Sequence, residues 1–242
     1  MRVHVVGSSG TFPAPGRPSA GFVISQGDVR VWCDAGFGTF MALPVDSEMI
    51  GAIVVSHQHP DHCADLLAAY HAWTYRPLPR DPVPLFAPQA VWDRLVDFVG
   101  KEPGCFDFSP VWTGVTADLG ELTVEFVGMD HSVPTVGSRW TANNRSLFYT
   151  ADTGPEGDWR TAAIDVDVLL CEASYQGPSE SKDYPHHLTA EEAGVIARDL
   201  GARHLVLTHI PPFLDASRSV SEAEGAFDRP VQLAVPGTSF DV

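Results

Sequence analysis

Six consecutive residues, His57-Gln58-His59-Pro60-Asp61-His62, bring three imidazoles and a carboxylate into one short stretch. Neutral imidazole and ionised carboxylate are the ligands that zinc, manganese and iron accept. The stretch follows the apolar run AIVVS (52–56) and precedes a helical pattern. A strand end is rigid, and the loop leaving it can turn several side chains into one small volume, as a site for more than one ion requires. The competing reading is a solvated loop that happens to be rich in histidine. Ten histidines in 242 residues are only a modest excess, and the spacing i, i+2, i+5 around an aspartate argues against that reading.

One hexapeptide cannot surround two ions, so further ligands are expected at other strand ends. His131 follows LTVEFVGMD, Asp152 follows SLFYTA and His209 follows HLVLT, each just past an apolar, β-rich run. Any one of them alone could be an ordinary surface or packed residue; their common placement argues for a shared role. In T-A-D-T-G, Gly154 permits a sharp turn, so the Asp152 carboxylate could project between two cations. An Asx-turn would use the same residues.

These side chains need a frame. Short β-rich runs separated by turns predict strands at 2–7, 21–26, 29–34 and 52–56, then at 122–128, 146–150, 166–171 and 204–210. Helical spacing predicts helices over 64–76 and 89–99, the second opened by Pro88. A third helix is predicted over 189–201, with Thr189 and Glu192 as a capping box and Gly201 as its stop. The proline-rich stretch 75–84 reads as a surface loop. No repeat or linker divides the chain, so one domain over 1–242 is expected.

The sequence resembles the metallo-β-lactamase-fold hydrolases. H-x-H-x-D-H at 57–62 carries the resemblance, and within that superfamily the chain is most similar to the ribonuclease Z branch and its smaller phosphodiesterase relatives. GSSGTFPAPGRPSAGFVI resembles the opening of that branch and DAGFGT (34–39) its D-x-G-x-G-T turn. HSVPTVGSR (131–139), YTADTG, CEAS (171–174), HHLTAEEAG (186–194) and LTHI (207–210) resemble its later motifs. The resemblance implies an α/β fold, a four-layer αβ/βα sandwich of two mixed β-sheets flanked by helices. It implies two Zn2+ ions, with Mn2+ also accepted. His57, His59 and His131 would hold one ion, Asp61, His62 and His209 the other, with Asp152 shared and a bridging hydroxide as nucleophile. It further implies that Asp61, Glu172 and His187 belong to the catalytic set. His187 would deliver a proton to the leaving oxygen, and Glu172 would orient it.

The remaining composition narrows the substrate. Fifteen Lys plus Arg against thirty-one Asp plus Glu give a formal charge of −16, which repels a polyanion. Between His62 and His131 the basic residues are Arg76, Arg80, Arg94 and Lys101, and no basic, glycine-rich arm of the kind that grips transfer RNA is visible. The expected reaction is hydrolysis of a small-molecule phosphodiester, a small or cyclic nucleotide ahead of nucleic acid. Ribonuclease-Z-like RNA processing and a metal-bound sensor without turnover are the alternatives. Arg139 and Arg145 are candidates to neutralise a phosphate; Trp73, Tyr75, Trp140, Tyr175 and Phe213 are candidates to stack on a base. His186 receives no role. Cys33, Cys63, Cys105 and Cys171 read as free thiols. No apolar run is long enough for a membrane helix and no secretory signal is visible, so a cytoplasmic location is expected. The resemblance also implies a homodimer.

Overall fold

The structure, a computed structural model, describes residues 1–77 and 80–242. Positions 78 and 79 of the expected proline-rich loop lie outside the described residues. Among the described residues, fourteen strands form two seven-stranded sheets. The first sheet contains β1 (Arg2–Gly7), β2 (Gly21–Gln26), β3 (Val29–Cys33), β4 (Ala52–Val54), β5 (Val83–Ala87) and β6 (Phe106–Pro110). The second contains β7 (Thr116–Leu119), β8 (Leu122–Gly128), β9 (Val136–Ala142), β10 (Arg145–Tyr149), β11 (Val168–Glu172), β12 (His204–Thr208) and β13 (Val231–Leu233). β14 (Ser239–Asp241) returns to pair antiparallel with β1 in the first sheet. The sheet orders are β14-β1-β2-β3-β4-β5-β6 and β13-β12-β11-β10-β9-β8-β7, each mixing parallel and antiparallel pairs.

Alternation along the strands produces the layers. Phe22, Ile24, Val31 and Cys33 face inward and meet Val124, Phe126, Trp140, Leu147 and Leu170 of the other sheet in one buried cluster. Their neighbours Val23, Trp32 and Ile53 face outward and pack beneath helices α2 (Leu66–Thr74) and α3 (Gln89–Val99), which follow the short α1 (Pro60–Cys63). On the far side, Leu169, Cys171, Leu205 and Leu207 pack beneath α4 (Trp159–Ala162), α5 (Ala190–Asp199) and α6 (Ala216–Phe227). Both faces of the central strands are thus buried, which is why they read as unbroken apolar runs. This is the four-layer αβ/βα sandwich of the metallo-β-lactamase fold.

Most expected elements form at or near their expected bounds. Pro88 precedes α3, and the Thr189 hydroxyl and Glu192 carboxylate make the capping box of α5. The helix expected over 64–76 is preceded by α1, because Pro60 at the first turn extends helical geometry back into the histidine stretch itself. Other elements were hidden. Part of the expected loop 75–84 is the start of β5, an interior parallel strand despite Pro84. β9 contains Gly137, Ser138 and Arg139, a weak strand signal. Its glycine is needed for close approach, since a Cβ there would lie 2.9 Å from the Tyr149 carbonyl. α6, rich in small and polar residues, seats against Gly194 of α5, where an added Cβ would lie 2.4 Å from the Ala223 carbonyl.

Candidate metal centre

The site lies where several strands end at one edge of the sandwich. His57, His59, Asp61 and His62 leave β4; His131 lies between β8 and β9; Asp152, Glu172 and His209 follow or end the parallel strands β10, β11 and β12. Parallel strands present their carboxyl ends to the same side, so three successive strands deliver side chains to one volume. Asp34, Ala151 and His209 adopt left-handed backbone (φ 59°, 52° and 55°), a conformation that non-glycine residues rarely hold and that concentrates at functional sites.

All seven expected ligands come together, in two groups that share one residue. His57, His59, His131 and Asp152 form the first; Asp61, His62, Asp152 and His209 form the second, with candidate ligand atoms in each within 4.8 Å of one another. In the first group His57 Nε2 is 3.0 Å from His59 Nδ1, which is 3.1 Å from His131 Nε2, and Asp152 Oδ2 is 3.7 Å from His57 Nε2. In the second, His62 Nε2 and His209 Nε2 are 3.2 Å apart, Asp61 Oδ2 is 3.2 Å from His209 Nε2, and Asp152 Oδ1 is 3.2 Å from His62 Nε2. Metal–ligand bonds of about 2.0–2.1 Å at tetrahedral angles put ligand atoms about 3.3 Å apart, so the observed spacings suit such a centre.

The proton inventory tests this fit. Ser56 Oγ donates to Asp34 Oδ2 at 3.0 Å and therefore accepts from His57 Nδ1, also at 3.0 Å. His62 Nδ1 donates to Asp34 Oδ2 at 2.7 Å, and His131 Nδ1 donates to the His186 carbonyl at 3.1 Å. Ser174 Oγ donates to Glu172 Oε2 at 2.7 Å and accepts from His209 Nδ1 at 2.9 Å. When these four rings are neutral, each proton is engaged outside the cluster and the inner lone pairs are turned on one another. Such an arrangement is repulsive by itself and attractive only around positive charge. Asp152 Oδ1 is buried, and its nearest nitrogens are the inner Nε2 atoms of His62 at 3.2 Å and His209 at 3.4 Å. Nitrogen and carboxylate donors of this kind suit a divalent first-row cation.

Without an ion, the carboxylates draw a proton into the cluster instead. Burial works against the charged form of His62, yet the Asp152 and Asp34 carboxylates outweigh it and raise its pKa well above the ordinary value. Burial alone would raise the Asp152 pKa, but His209, His62 and His57 hold it well below the usual carboxylate range. His57 is driven down, chiefly by burial.

Glu172 and His187 stand beside the second group. Glu172 Oε1 is 2.8 Å from His187 Nδ1 and also accepts the Thr153 N–H at 2.9 Å; its other oxygen is held by Ser174. Burial opposes the His187 charge, but Glu172 more than compensates and its pKa is pushed up to about 9. Glu172, His187 and His209 also lie close enough to hold a cation. The Ser174 hydroxyl already bonds Glu172 and His209, so this third group is a hydrogen-bonded network.

Other candidates move elsewhere. Arg139 bonds the Ala162 carbonyl, and Arg145 pairs with Asp167 at 2.6 Å, so both are engaged on the helix-covered sheet and neither joins the ligand groups. Trp73 and Trp140 are core residues, while Phe213 is exposed and stacks on Phe12. Cys63 is a buried thiol whose pKa burial pushes up to about 12. Sequence reasoning gave no role to Asp34, Ser56 and Ser174, which fix the rings. Asp34 opens the D-x-G-x-G-T turn and Ser174 closes CEAS, so both stood inside motifs already noted.

Among the described residues no helix is long and apolar enough to cross a membrane. Residues 29–210 match the model of the β-lactamase superfamily domain. An uncharacterized protein of Mycobacterium tuberculosis (strain H37Rv) is 33% identical, over 100% of this chain and 92% of its own length. The probable metallo-hydrolase YhfI of Bacillus subtilis is 28% identical, with 98% of each chain covered. Its crystal structure, in the metallo-β-lactamase fold, superposes with a TM-score of 0.89 at 26% identity, covering 99% of this chain and 98% of that one. Ribonuclease Z of Methanopyrus kandleri is 26% identical over 93% of this chain and 92% of its own. With twin His/Asp groups at the strand ends and these relatives, the chain belongs to the β-lactamase superfamily, as a metallo-hydrolase of the metallo-β-lactamase fold.

Proposed function

We propose that this protein hydrolyses a phosphodiester, a small or cyclic nucleotide ahead of RNA, at a dinuclear zinc centre. The observation that carries the reading is the pairing of Glu172 with His187, 2.8 Å apart, immediately beside the twin ligand groups. A proton store next to a double cation site suits a reaction in which an oxygen leaves. His57, His59 and His131 would hold one ion and Asp61, His62 and His209 the other, with Asp152 common to both groups. Two divalent ions bound there supply Lewis-acid polarisation of a phosphoryl oxygen and a water of lowered pKa.

The chain's own residues do the rest. Asp34, Ser56, Ser174 and the His186 carbonyl keep the ring protons on the outer nitrogens, so the inner ones stay available as ligands. Glu172 holds the Nδ1 proton of His187 and stabilises the imidazolium, which can give its Nε2 proton to the departing oxygen. The −16 charge favours a small substrate, because a long polyanion is repelled over its whole length. The likeness to a ribonuclease Z supports a second reading, RNA processing. The deciding experiment assays bis(p-nitrophenyl) phosphate, cyclic nucleotides, a thiolester and a precursor RNA after metal stripping and after zinc or manganese add-back. Metal-dependent turnover of the thiolester alone overturns the reading, and RNA cleavage without small-diester turnover selects the second.

A further inference from the structure

His186, to which the motifs assign no role, belongs to a closed circuit of hydrogen bonds around the site. Its Nδ1 lies 3.0 Å from Asp130 Oδ1. The Asp130 N–H donates to Thr153 Oγ1 at 3.3 Å, and its carbonyl accepts the Gly154 N–H at 2.7 Å. Thr153 N–H donates to Glu172 Oε1 at 2.9 Å, and that oxygen reaches His187 Nδ1 at 2.8 Å. His187 adjoins His186, so the circuit closes. Each corner touches the reaction centre: Asp130 precedes His131, Thr153 follows Asp152, and the His186 carbonyl accepts from His131. The packing leaves little slack, since a Cβ on Gly154 would lie 2.3 Å from Asp130 Oδ2 and 2.8 Å from the Pro185 carbonyl.

Within this circuit the Asp130–His186 pair is the part that faces solvent, with about a third of each side chain exposed, while the other link to His187 runs through wholly buried Glu172. The geometry points to Asp130 and His186 as a latch that fixes His187 relative to the ligand groups, so that its proton meets the leaving oxygen. Both are positioning residues. Without the latch, among the described residues the loop carrying His187 is held to the 129–131 turn on this side by the His131–carbonyl hydrogen bond, and a displacement of about an ångström suffices to impair proton transfer.

This inference rests on the reading of His187 as proton donor, and the test separates the two. Metal-loaded protein is assayed on a series of methyl aryl phosphodiesters of rising leaving-group pKa, with metal content measured by elemental analysis. Loss of a general acid penalises the poor leaving groups most and steepens the dependence of kcat/KM on leaving-group pKa. H187A and H186A are both expected to steepen it, with H186A losing about tenfold at the poor end of the series. H186N, whose amide nitrogen can replace Nδ1 toward Asp130, restores the wild-type slope. Metal content stays at the wild-type level throughout. If H187A steepens the slope and H186A does not, the latch is wrong and the donor stands. An equal loss across the series, or loss of metal, in H186A assigns the pair to the fold or the ligand groups and overturns the latch. A wild-type slope in H187A, or a wild-type protein that cleaves none of the series, overturns both.

Discussion

The Nδ1 atom of His62 lies 2.7 Å from Oδ2 of Asp34, a fully buried carboxylate that also accepts from the Ser56 backbone and hydroxyl and from the Tyr149 hydroxyl at 2.8 Å. Four donors converge on one carboxylate, and the ring it orients turns its other nitrogen toward Asp152 and His209. An amide at position 34 would present a donor where only acceptors fit. D34N is therefore expected to weaken metal binding by about 10- to 100-fold, the usual consequence of losing an outer partner of a ligating histidine. Titration of the stripped protein with zinc or manganese measures it; unaltered affinity would mean that Asp34 only fills space.

Removing metal is expected to cost stability, because a proton on His62 then replaces only part of the positive charge that the clustered lone pairs and carboxylates face. An ion present at about a hundredfold over its Kd adds about 2.7 kcal/mol, which for a chain of this size corresponds to about 5–10 °C in Tm. Thermal unfolding with and without chelator, followed by add-back, tests the expectation. A chelator-insensitive Tm in protein verified to be stripped would contradict it.

The elevated His187 pKa gives a signed pH prediction. Burial lowers it, Glu172 raises it further, and the result is about 9 against an ordinary 6.5. A raised value means that the charged pair contributes its full stability below about 6.5 and loses it as pH climbs through about 9. Bound divalent ions oppose the imidazolium and move the same transition lower. In stripped protein, NMR titration of His187 should show a midpoint near 9, and E172Q should bring it back toward the unperturbed range.

Trp140 separates packing from recognition. Its ring is fully buried between the sheets, with Nε1 donating to Ser138 Oγ at 2.8 Å. W140A is expected to destabilise the fold by about 3–5 kcal/mol, measured by denaturant unfolding, and W140F by less. If W140F raised KM for a nucleotide while leaving stability intact, the residue would have to be returned to the substrate site.

The sandwich and the gathering of the seven candidate ligands were legible because each lies next to a strong local signal. AIVVS, LTVEFVG and HLVLT announce strands, and His57, His131 and His209 stand just past their ends. β5 was obscured by Pro84 and β9 by Gly137, residues whose fitness depends on neighbours distant in sequence. Arg139 and Arg145 looked available because nothing local reveals that the Ala162 carbonyl and Asp167 occupy them. Asp34 could not be assigned from its own turn, since its partners Ser56, His62 and Tyr149 are brought to it only by the folding of both sheets.

The hydroxyl of Ser174 joins the two halves of the centre. It touches Glu172 on one side and His209 on the other, and His187 shares the same carboxylate. A shift of the His209 ring is therefore passed to Glu172 through a single rotatable hydrogen. One small side chain thus ties the position of a candidate ligand to that of the neighbouring His187, and removing its oxygen would free both at once.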